Sequence, residues 1–412
     1  MKRWVGTGVA AVAALLGMTQ PAWAVCSDSS ETSVTTVNRT FASGASWSIG
    51  VSRRGCEGLT IGPATYKPAG GTATLVLFKG TLAEVFVPYH TGSARFLDVT
   101  QSTSGLGVGA VALSAAECSG GTLFDGNRIC VANHDGGYGW KFGTSFRTAQ
   151  AIEIYMSSQL GQYNYVNQWT FHDDGVIEPQ VGLTGRLQQY GSTNAYLPYG
   201  QRVNSETAGT PSVAKSHMHN FYYRLDFDIA GGGNDLVTRF TFTPSTTPSP
   251  DTSCATPGQC AVTTRTPILT ETSNAWSSTG QTSWFISDKV VSNADGRRIG
   301  YEIIPNGSGI WRGMTSTTES WTNAELWVTS FNACERYPAF NAAPSIDPSC
   351  GTPAATLTQM LNGQSVDGQD LVVWYVNHFQ HVPRDENELN MPIEWTGFHI
   401  EPRNFFATNP SP

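Results

Sequence analysis

Two histidines separated by one residue stand at the start of an apolar run. His217 and His219 flank Met218 and precede the segment Asn220–Asp228, which the alternating apolar pattern predicts to be a strand. On a strand, residues i and i+2 point to the same side, so both imidazoles can reach one ion. Imidazole suits copper or zinc, commonly with a third histidine from elsewhere in the chain. The pair by itself also fits a chance or purely structural arrangement.

A later apolar run, 370–381, ends in a further histidine. His381 has an odd number, as His217 and His219 do. If this run is a strand beside the first one, His381 joins the pair on the same side of the sheet. The three imidazoles then form an all-nitrogen metal site.

Carboxylates occupy the even-numbered positions of the same two runs. Asp226 and Asp228 end the first run, and Asp370 begins the second. On unbroken strands they face away from the histidines and form an all-oxygen site, which suits a hard cation such as calcium. Backbone carbonyls, expected from Phe227 and Leu371, complete the shell. The aspartates could equally be ordinary solvated residues at strand ends. A β-bulge in either strand would also change which face the even-numbered side chains occupy.

The rest of the chain reads as an all-β protein. Few charged residues (14 %) and many aromatics (11 %), with abundant Thr, Ser and Gly, are typical of secreted all-β proteins. The clearest predicted strands are Thr74–Phe78, Glu84–Pro88, Ala151–Met156, Trp169–Phe171, Phe221–Asp228, Arg239–Phe242, Ser283–Ile286, Glu325–Thr329 and Leu371–Val376. Residues 354–361 fit one short helix. The Pro- and Thr-rich stretch 243–257 fits an interdomain linker, but we favour a long surface loop within one sandwich.

Composition excludes several classes of protein. Hydrophobic residues make up 40 % of the 412 residues, which is enough for a large core and excludes wholesale disorder. A net charge of −8 without a basic run argues against a nucleic-acid partner. No stretch after the N-terminus approaches the roughly 20 apolar residues of a membrane-spanning helix, so we expect no membrane partner.

The N-terminus predicts a signal peptide, residues 1–24. A Lys-Arg pair is followed by the apolar run Val9–Leu16 and by Ala22-Trp23-Ala24, a small-x-small cleavage site. The alternative, a membrane anchor, has an apolar run too short to cross a bilayer. We therefore expect a secreted or periplasmic protein, cleaved near Ala24. Residues 25–45 are Ser/Thr-rich and are expected to form a loose arm.

Eight cysteines follow the expected cleavage site. In an oxidising compartment they would pair. Sequence proximity suggests 118–130, 254–260 and 334–350, which leaves 26–56; this connectivity is a hypothesis. A CxxC spacing is absent from the sequence, which argues against a thiolate metal site.

At these residues the chain resembles the copper-dependent amine oxidases, which make topaquinone from one of their own tyrosines. The run HMHNFYYRLDFD (217–228) resembles the family's HxH copper segment and its RLDxD strand. The stretch 366–406 resembles the C-terminal block of the family, with VDGQDLVVWY, HVPR, MPIEWTGF and EPRNFF in order. Further blocks fit the same order: EVFVPY (84–89), NRIC (127–130), DGVIE within 169–185, and LWVT and ERYP within 325–338.

The resemblance implies a large antiparallel β-sandwich over residues 46–412 and, in this family, a homodimer. The chain looks like the catalytic domain without the family's usual N-terminal domains. The resemblance makes copper(II) the metal of the three histidines. It implies a primary amine and dioxygen as substrates, with aldehyde, hydrogen peroxide and ammonia as products. The sequence does not identify the amine.

The resemblance places the topaquinone precursor at Tyr163. The family has T-x-x-N-Y-(D/E)-Y, and the matching run here is QLGQYNY, which keeps Tyr165. Three neighbours differ from the family pattern: Gln159, Gln162 and Asn164. These differences put efficient formation of the cofactor in question. They motivate a second hypothesis, a non-catalytic copper-binding relative whose tyrosine is never processed.

The resemblance also assigns a base and an orienting tyrosine. The family's base is an aspartate downstream of VPYGDP, and here Tyr89 is kept while His90-Thr91-Gly92 replaces GDP. The next acidic residue, Asp98, aligns with the base, after a connection shorter than usual. Tyr89 aligns with the tyrosine that hydrogen-bonds the quinone oxygen. Removal of an α-proton calls for a carboxylate whose pKa is raised by burial.

A third hypothesis is a three-histidine zinc hydrolase, in which the metal lowers the pKa of bound water.

Overall fold

Strands make up most of the regular structure, as the alternating runs predict. The computed structural model describes residues 26, 30–92, 94–101, 105–203, 211–245, 258, 260–277, 279–306, 317–340, 348–351, 353–388 and 390–410. The strands of the first half are β1 (Thr35–Thr40), β2 (Ser46–Arg54), β3 (Gly58–Lys67), β4 (Thr74–Pro88), β5 (Arg95–Leu97), β6 (Thr122–Phe124), β7 (Ile129–Phe142), β8 (Ser145–Leu160), β9 (Tyr163–His172), β10 (Ile177–Gly185), β11 (Tyr190–Gly191) and β12 (Gly200–Arg202). Those of the second half are β13 (Val213–Lys215), β14 (His217–Phe227), β15 (Asp235–Pro244), β16 (Ala261–Ile268), β17 (Thr272–Asn274), β18 (Ser283–Ser292), β19 (Arg298–Ile304), β20 (Leu326–Ser330), β21 (Leu371–His381), β22 (Met391–Gly397) and β23 (His399–Arg403).

Helical structure is limited to short pieces within the described residues. The α-helices are α1 (Gly105–Val108) and α2 (Leu357–Met360), and α2 lies inside the predicted helical stretch 354–361. The 3₁₀ turns are Asn194–Tyr199, Thr317–Thr322, Pro348–Cys350 and Asp385–Asn387.

Two large sheets enclose the main core and confirm the predicted antiparallel β-sandwich. The first has the order β1-β2-β3-β4-β14-β21-β20-β17, with β5 on β4. The second has the order β16-β15-β18-β19-β23-β10-β9-β8-β7-β6, with β22 on β10. A small third sheet has the order β11-β13-β12. The central pairings, β14 with β4 and β21 and β9 with β8 and β10, are antiparallel.

The central strand β14 separates two apolar clusters. Its odd-numbered side chains face the second sheet, where the Tyr223 ring lies 5.9 Å from that of Trp169. Its even-numbered side chains face a smaller cluster, where the Tyr222 ring lies 5.3 Å from that of Trp321. All residues of β14 are therefore buried. Each large apolar side chain buried in this way contributes roughly 1.5–3 kcal/mol, so the strand that carries the histidine pair is firmly held.

Two expectations about local structure are wrong. The runs Thr74–Phe78 and Glu84–Pro88 belong to one strand, β4, because β-bulges in its pairing with β14 let the strand bend without ending. The stretch 25–45 is not a loose arm throughout, since Thr35–Thr40 forms β1 and pairs with β2. Its Thr- and Val-containing sequence suits an edge strand.

The strands on either side of the stretch 243–257 pair with each other. β15 and β16 are antiparallel neighbours from Val237 opposite Ile268 to Pro244 opposite Ala261. The two strands therefore belong to one sheet. Residues 246–257 lie outside the described residues.

Three of the expected disulfides are present: Cys26–Cys56, Cys118–Cys130 and Cys334–Cys350. The fourth expected pairing involves Cys254, which lies outside the described residues, as does the expected signal peptide. In the part of the chain that the structure describes, no helix is long and apolar enough to cross a membrane.

Candidate metal centre and active site

Strand ends from both sheets meet at one end of the sandwich. In the first sheet, His217 begins β14 and lies opposite His381, the last residue of β21. In the second sheet, Tyr163 begins β9. Tyr89 directly follows β4, and Asp98 directly follows β5. The topology therefore gathers every residue that the sequence predicted for the copper centre and its catalytic groups.

The three histidines form one compact group, as their numbering parity predicts. The ligand nitrogens of His217, His219 and His381 lie within 4.8 Å of one another, and all three residues are buried. Nδ1 of His381 lies 3.2 Å from Nε2 of His217. Among the described residues this is the only group of three or more His, Cys, Asp or Glu arranged to share an ion.

Hydrogen bonds on the outer side of two rings decide which nitrogen faces the centre. The carbonyl of Lys215 accepts from Nδ1 of His217 at 3.0 Å, which leaves Nε2 for a metal. Oδ1 of Asn387 accepts from Nε2 of His381 at 3.4 Å, which leaves Nδ1. Nε2 of His219 is buried and has no hydrogen-bond partner among the described residues. Because a buried unpaired nitrogen is costly unless it gains a ligand, the set fits a metal ion.

Burial keeps the three imidazoles neutral. Removal from water lowers the pKa of His217 to about 3, and the nearby His381 adds to this effect. Burial also lowers the pKa of His219 well below its ordinary range, and lowers the pKa of His381. The neutral imidazole is the form that binds a metal, so no proton has to leave at neutral pH.

The Tyr163 hydroxyl lies against this group. It is 3.1 Å from Nε2 of His217, and the residue is 2 % exposed. Burial raises the pKa of Tyr163, whereas a hydrogen bond with Tyr89 opposes the rise. The ring of Tyr89 stacks on His217 with 4.4 Å between ring centroids. The structure therefore holds a phenol within reach of any ion at the three imidazoles, as predicted.

A half-buried aspartate completes the centre. The Tyr165 hydroxyl donates to Oδ2 of Asp98 at 2.8 Å and lies 3.3 Å from Nδ1 of His219. Burial raises the pKa of Asp98 to about 7, and the hydrogen bond from Tyr165 opposes the rise. A carboxyl with this pKa can take up or release a proton near neutral pH. The link that Tyr165 makes between Asp98 and His219 was not predicted; the retained tyrosine was the only sequence signal for it.

The three residues that differ from the family pattern point away from the metal side. Tyr163 and Tyr165 are buried, whereas Asn164 between them is half-buried and donates to Oγ of Ser157 at 3.4 Å. Gln162 is exposed in the turn before β9. The exposed Gln159 donates to the carbonyl of Gly161 at 3.3 Å. The inward face of β9 is therefore unchanged by these differences.

The predicted calcium-like set lies at the other end of β14. Asp226 is nine residues beyond His217, a distance of about 30 Å along a strand. Burial raises the pKa of Asp226 to about 6, and the neighbouring charges of Asp370 and Asp228 add to the rise. Oδ1 of Asp228 accepts the N–H groups of Gly232 and Gly233 at 2.6 and 3.1 Å. The aspartates are thus electrostatic neighbours.

The carboxylate oxygens of these aspartates are not close enough to one another to share an ion. Within the described residues only the three histidines form such a group. The expected carbonyl donors, Phe227 and Leu371, are the last residue of β14 and the first of β21. Sequence reasoning missed a further carboxylate, Asp235, which is 1 % exposed. Burial raises the pKa of Asp235 to about 9, and Asp228 adds to the rise. Asp235 begins the next strand, where neither spacing nor parity connects it to Asp228.

Known proteins share this sequence pattern and fold. A family description, "Copper amine oxidase, enzyme domain", matches residues 36–412. Primary amine oxidase 2 of Arabidopsis thaliana is 27 % identical over 369 residues, which cover 81 % of this chain and 52 % of that protein. Histamine oxidase of Arthrobacter globiformis is 25 % identical over 403 residues, which cover 89 % of this chain and 56 % of that protein. The chain thus spans little more than half the length of these curated relatives.

A solved structure shows the same fold. The crystal structure of an amine oxidase from Aspergillus nidulans aligns with 100 % of this chain and 57 % of its own, with a TM-score of 0.75 and 20 % sequence identity.

Proposed function

The chain belongs to the copper amine oxidase family, and from this premise we propose that it is a copper- and topaquinone-dependent oxidase of primary amines. The overall reaction converts a primary amine, dioxygen and water into an aldehyde, ammonia and hydrogen peroxide. The observation that carries the proposal is the 3.1 Å distance between the Tyr163 hydroxyl and Nε2 of His217, within a group of three buried histidines.

The protein contributes ligands and a modifiable ring. Nε2 of His217, Nε2 of His219 and Nδ1 of His381 are the nitrogens free to hold copper(II). Copper and the topaquinone derived from Tyr163 supply the electron-accepting chemistry that side chains lack.

Proton transfer belongs to Asp98. Its pKa of about 7 lets the carboxylate remove the α-proton of an amine and later release it at neutral pH. Tyr165 holds one carboxylate oxygen at 2.8 Å and so fixes the direction of the other. Tyr89, stacked on His217 and hydrogen-bonded with Tyr163, orients the reacting ring. Burial of Tyr89, Tyr163 and Tyr165 keeps competing water away from the ring.

The structure gives little support to the two other hypotheses. Gln159, Gln162 and Asn164 lie in the turn or on the outer face, so the motive for a non-catalytic relative is weakened. A three-histidine zinc hydrolase gives no role to the phenol of Tyr163 beside the metal or to Asp98 beyond it.

The test is the chemistry of one residue. Peptide mass spectrometry across Tyr163, before and after aerobic loading with copper, should show the mass change of topaquinone only after loading. Phenylhydrazine should then produce a coloured adduct in stoichiometric amount. An unmodified Tyr163 in the copper-loaded, aerated protein would exclude the oxidase, and metal without quinone would favour the non-catalytic relative. Activity with zinc in a colourless protein would favour the hydrolase.

We also propose export, since three disulfides among the described residues suit an oxidising compartment. Fractionation of the source cells tests this proposal: the protein should be found outside the cytoplasm with residues 1–24 removed.

A homodimer is proposed from the family. The tip of the β7–β8 hairpin carries exposed aromatics, Phe142 at 85 % and Tyr138 at 67 %, which suits a contact surface. Sedimentation analysis tests it, and a monomer at micromolar concentration would contradict it.

Calcium is proposed for the second site. The support is electrostatic: burial raises the pKa of Asp226 and of Asp370, the charge of Asp228 adds to both rises, and Arg224 offsets only part, so a divalent cation would relieve the remaining repulsion. The charges of Asp228 and Asp370 also act on the buried carboxyl of Asp235 and raise its pKa.

A further inference from the structure

A buried carboxyl outside the metal centre holds the turn that carries Asp98. Glu84 lies on β4 and is 0 % exposed. Its Oε1 accepts the N–H of Val85 at 2.9 Å and the N–H of Val99 at 2.8 Å. Its Oε2 accepts the N–H of Thr100 at 3.2 Å and also the Thr100 hydroxyl. Both oxygens are therefore occupied, and three of the four bonds reach the two residues that follow Asp98.

The same turn is tied down by backbone bonds. The N–H of Asp98 donates to the carbonyl of Val85 at 3.0 Å, and the N–H of Gln101 donates to the carbonyl of Leu97 at 2.9 Å. The N–H of the buried Cys26 donates to the carbonyl of Thr100 at 3.0 Å. Glu84 is the side chain that joins this turn to strand β4, which also leads to Tyr89.

The bonds that Oε1 accepts do not depend on the protonation state of Glu84. Burial raises its pKa to about 8, against the hydrogen bonds that favour the ionised carboxylate. In either protonation state Oε1 can accept from Val85 and Val99. A glutamine at this position keeps one such oxygen, whereas an apolar residue keeps none.

We propose that Glu84 is a positioning residue for the base Asp98, acting through the backbone of Val99 and Thr100. The proposal rests on the proposed function, in which Asp98 moves the α-proton. A carboxylate displaced by about 1 Å from its productive geometry can lose about 10²-fold in rate. Glu84 does not touch the reacting atoms; it fixes where Asp98 stands relative to Tyr165 and Tyr163.

The experiment compares Glu84→Leu, Glu84→Gln and a matched control. Glu271 is a second buried carboxylate bound by backbone N–H groups, those of Ser330, Asn362, Gly363 and Gln364, at 2.8–3.3 Å. Its partner Ser330 lies opposite Leu371, at the end of β21 remote from His381. Glu271→Leu therefore removes the same kind of brace away from the metal centre.

In the copper-loaded protein, Glu84→Leu should lower kcat about 10²-fold with little change in KM. The kinetic isotope effect measured with an α-deuterated amine should rise. The pH at which kcat/KM changes through titration of Asp98 should shift. Titration with phenylhydrazine should still find wild-type amounts of quinone. Glu84→Gln keeps the oxygen that accepts from Val85 and Val99 but has no acceptor for the N–H of Thr100, so its kcat should lie between those of the wild type and Glu84→Leu. Glu271→Leu should lower stability without moving the isotope effect or the pH profile.

A second readout does not depend on turnover. Hydrogen–deuterium exchange should accelerate at the amides of Val99 and Thr100 in Glu84→Leu but not in Glu271→Leu. If Glu84→Leu fails to fold, Thr100→Val removes the hydroxyl bond alone and should give a smaller change of the same kind. Unchanged exchange at both amides, or kinetics identical to those of Glu271→Leu, would overturn the proposal. A wild-type protein without quinone would instead overturn the proposed function, and exchange would still decide whether Glu84 holds the turn.

Discussion

The hydroxyl of Tyr163 and Nε2 of His217 lie 3.1 Å apart, although the residues are 54 positions apart and belong to different sheets. Each of the two residues is the first of its strand, so the contact is made where β9 and β14 begin. This contact places the ring that we propose as the cofactor precursor beside the metal group.

Tyr163→Phe should leave copper bound and abolish peroxide formation. The substitution removes one hydroxyl and none of the three ligand nitrogens. Metal analysis should find wild-type copper, whereas phenylhydrazine and an amine-dependent peroxide assay should give only background. Tyr301→Phe is the matched control, since the buried Tyr301 hydroxyl has no hydrogen-bond partner among the described residues. Peroxide production by Tyr163→Phe would contradict the assignment.

Activity should rise as pH increases through about 7. In the proposed function the carboxylate form of Asp98 is the base, and burial raises its pKa to about 7, so kcat/KM should increase and then level off. Asp98→Asn should lose about 10²–10⁴-fold in kcat/KM, and its kcat/KM should not rise with pH near 7. A pH series with a single amine measures both effects. If kcat/KM of Asp98→Asn still rises with pH near 7 as in the wild type, the titrating group is not Asp98.

Asp98 should also affect stability. Its pKa is higher in the folded chain than in the unfolded chain, so the folded state holds the extra proton between about pH 4 and 7. The contribution of this group to stability therefore falls as pH rises across that range. Asp98→Asn should raise Tm at pH 8 relative to the wild type and have little effect at pH 4. Thermal melts at the two pH values test the sign.

Copper should raise Tm only when all three histidines are present. Binding to the folded state alone stabilises by about 2.7 kcal/mol at a free metal concentration of 100 Kd. His381→Ala should lose this shift, whereas His134→Ala, whose side chain is 44 % exposed, should keep it. Because burial lowers the pKa of His217 to about 3 and also lowers the pKa of His219 and of His381, the shift should be lost only at a pH below the ordinary pKa of histidine, about 6.5. A copper-dependent Tm in His381→Ala would contradict the three-nitrogen site.

Calcium should raise Tm through the aspartate cluster. Asp370→Asn should reduce the rise in Tm caused by calcium, because the negative charge of Asp370 acts on Asp226. Asp367→Asn is the control, since Asp367 pairs with Lys289 at 2.8 Å. Melts with calcium and with a chelator provide the measurement. A wild-type Tm that is the same under both conditions would exclude the site.

The histidine group could be predicted because its geometry depends only on strand periodicity. From His217 opposite His381 to Leu225 opposite Val373, the pairing of β14 with β21 has no register shift, so the odd positions stay on one side. The fold class followed from the alternating runs and from the resemblance. β4 was divided wrongly, because bulges in its pairing with β14 interrupt the alternation without ending the strand.

The missed partners of two metal-facing histidines are a side chain in a 3₁₀ turn and a backbone carbonyl. Asn387 holds His381 from a 3₁₀ turn, and the carbonyl of Lys215 holds His217. The brace made by Glu84 depends on a turn that packs beside β4. Such contacts are set by tertiary packing, and spacing along the chain gives no sign of them.

The alternation along β9 bears on how distant relatives can be recognised. Tyr163 and Tyr165 face the centre, whereas Asn164 faces outward and Gln159 lies on the exposed side of the preceding strand. Substitutions at the outward positions leave the inward face of β9 unchanged, so a contiguous consensus around Tyr163 would reject chains that keep the same inward face. A search template that scores only the inward positions, together with the paired histidines, would retain them.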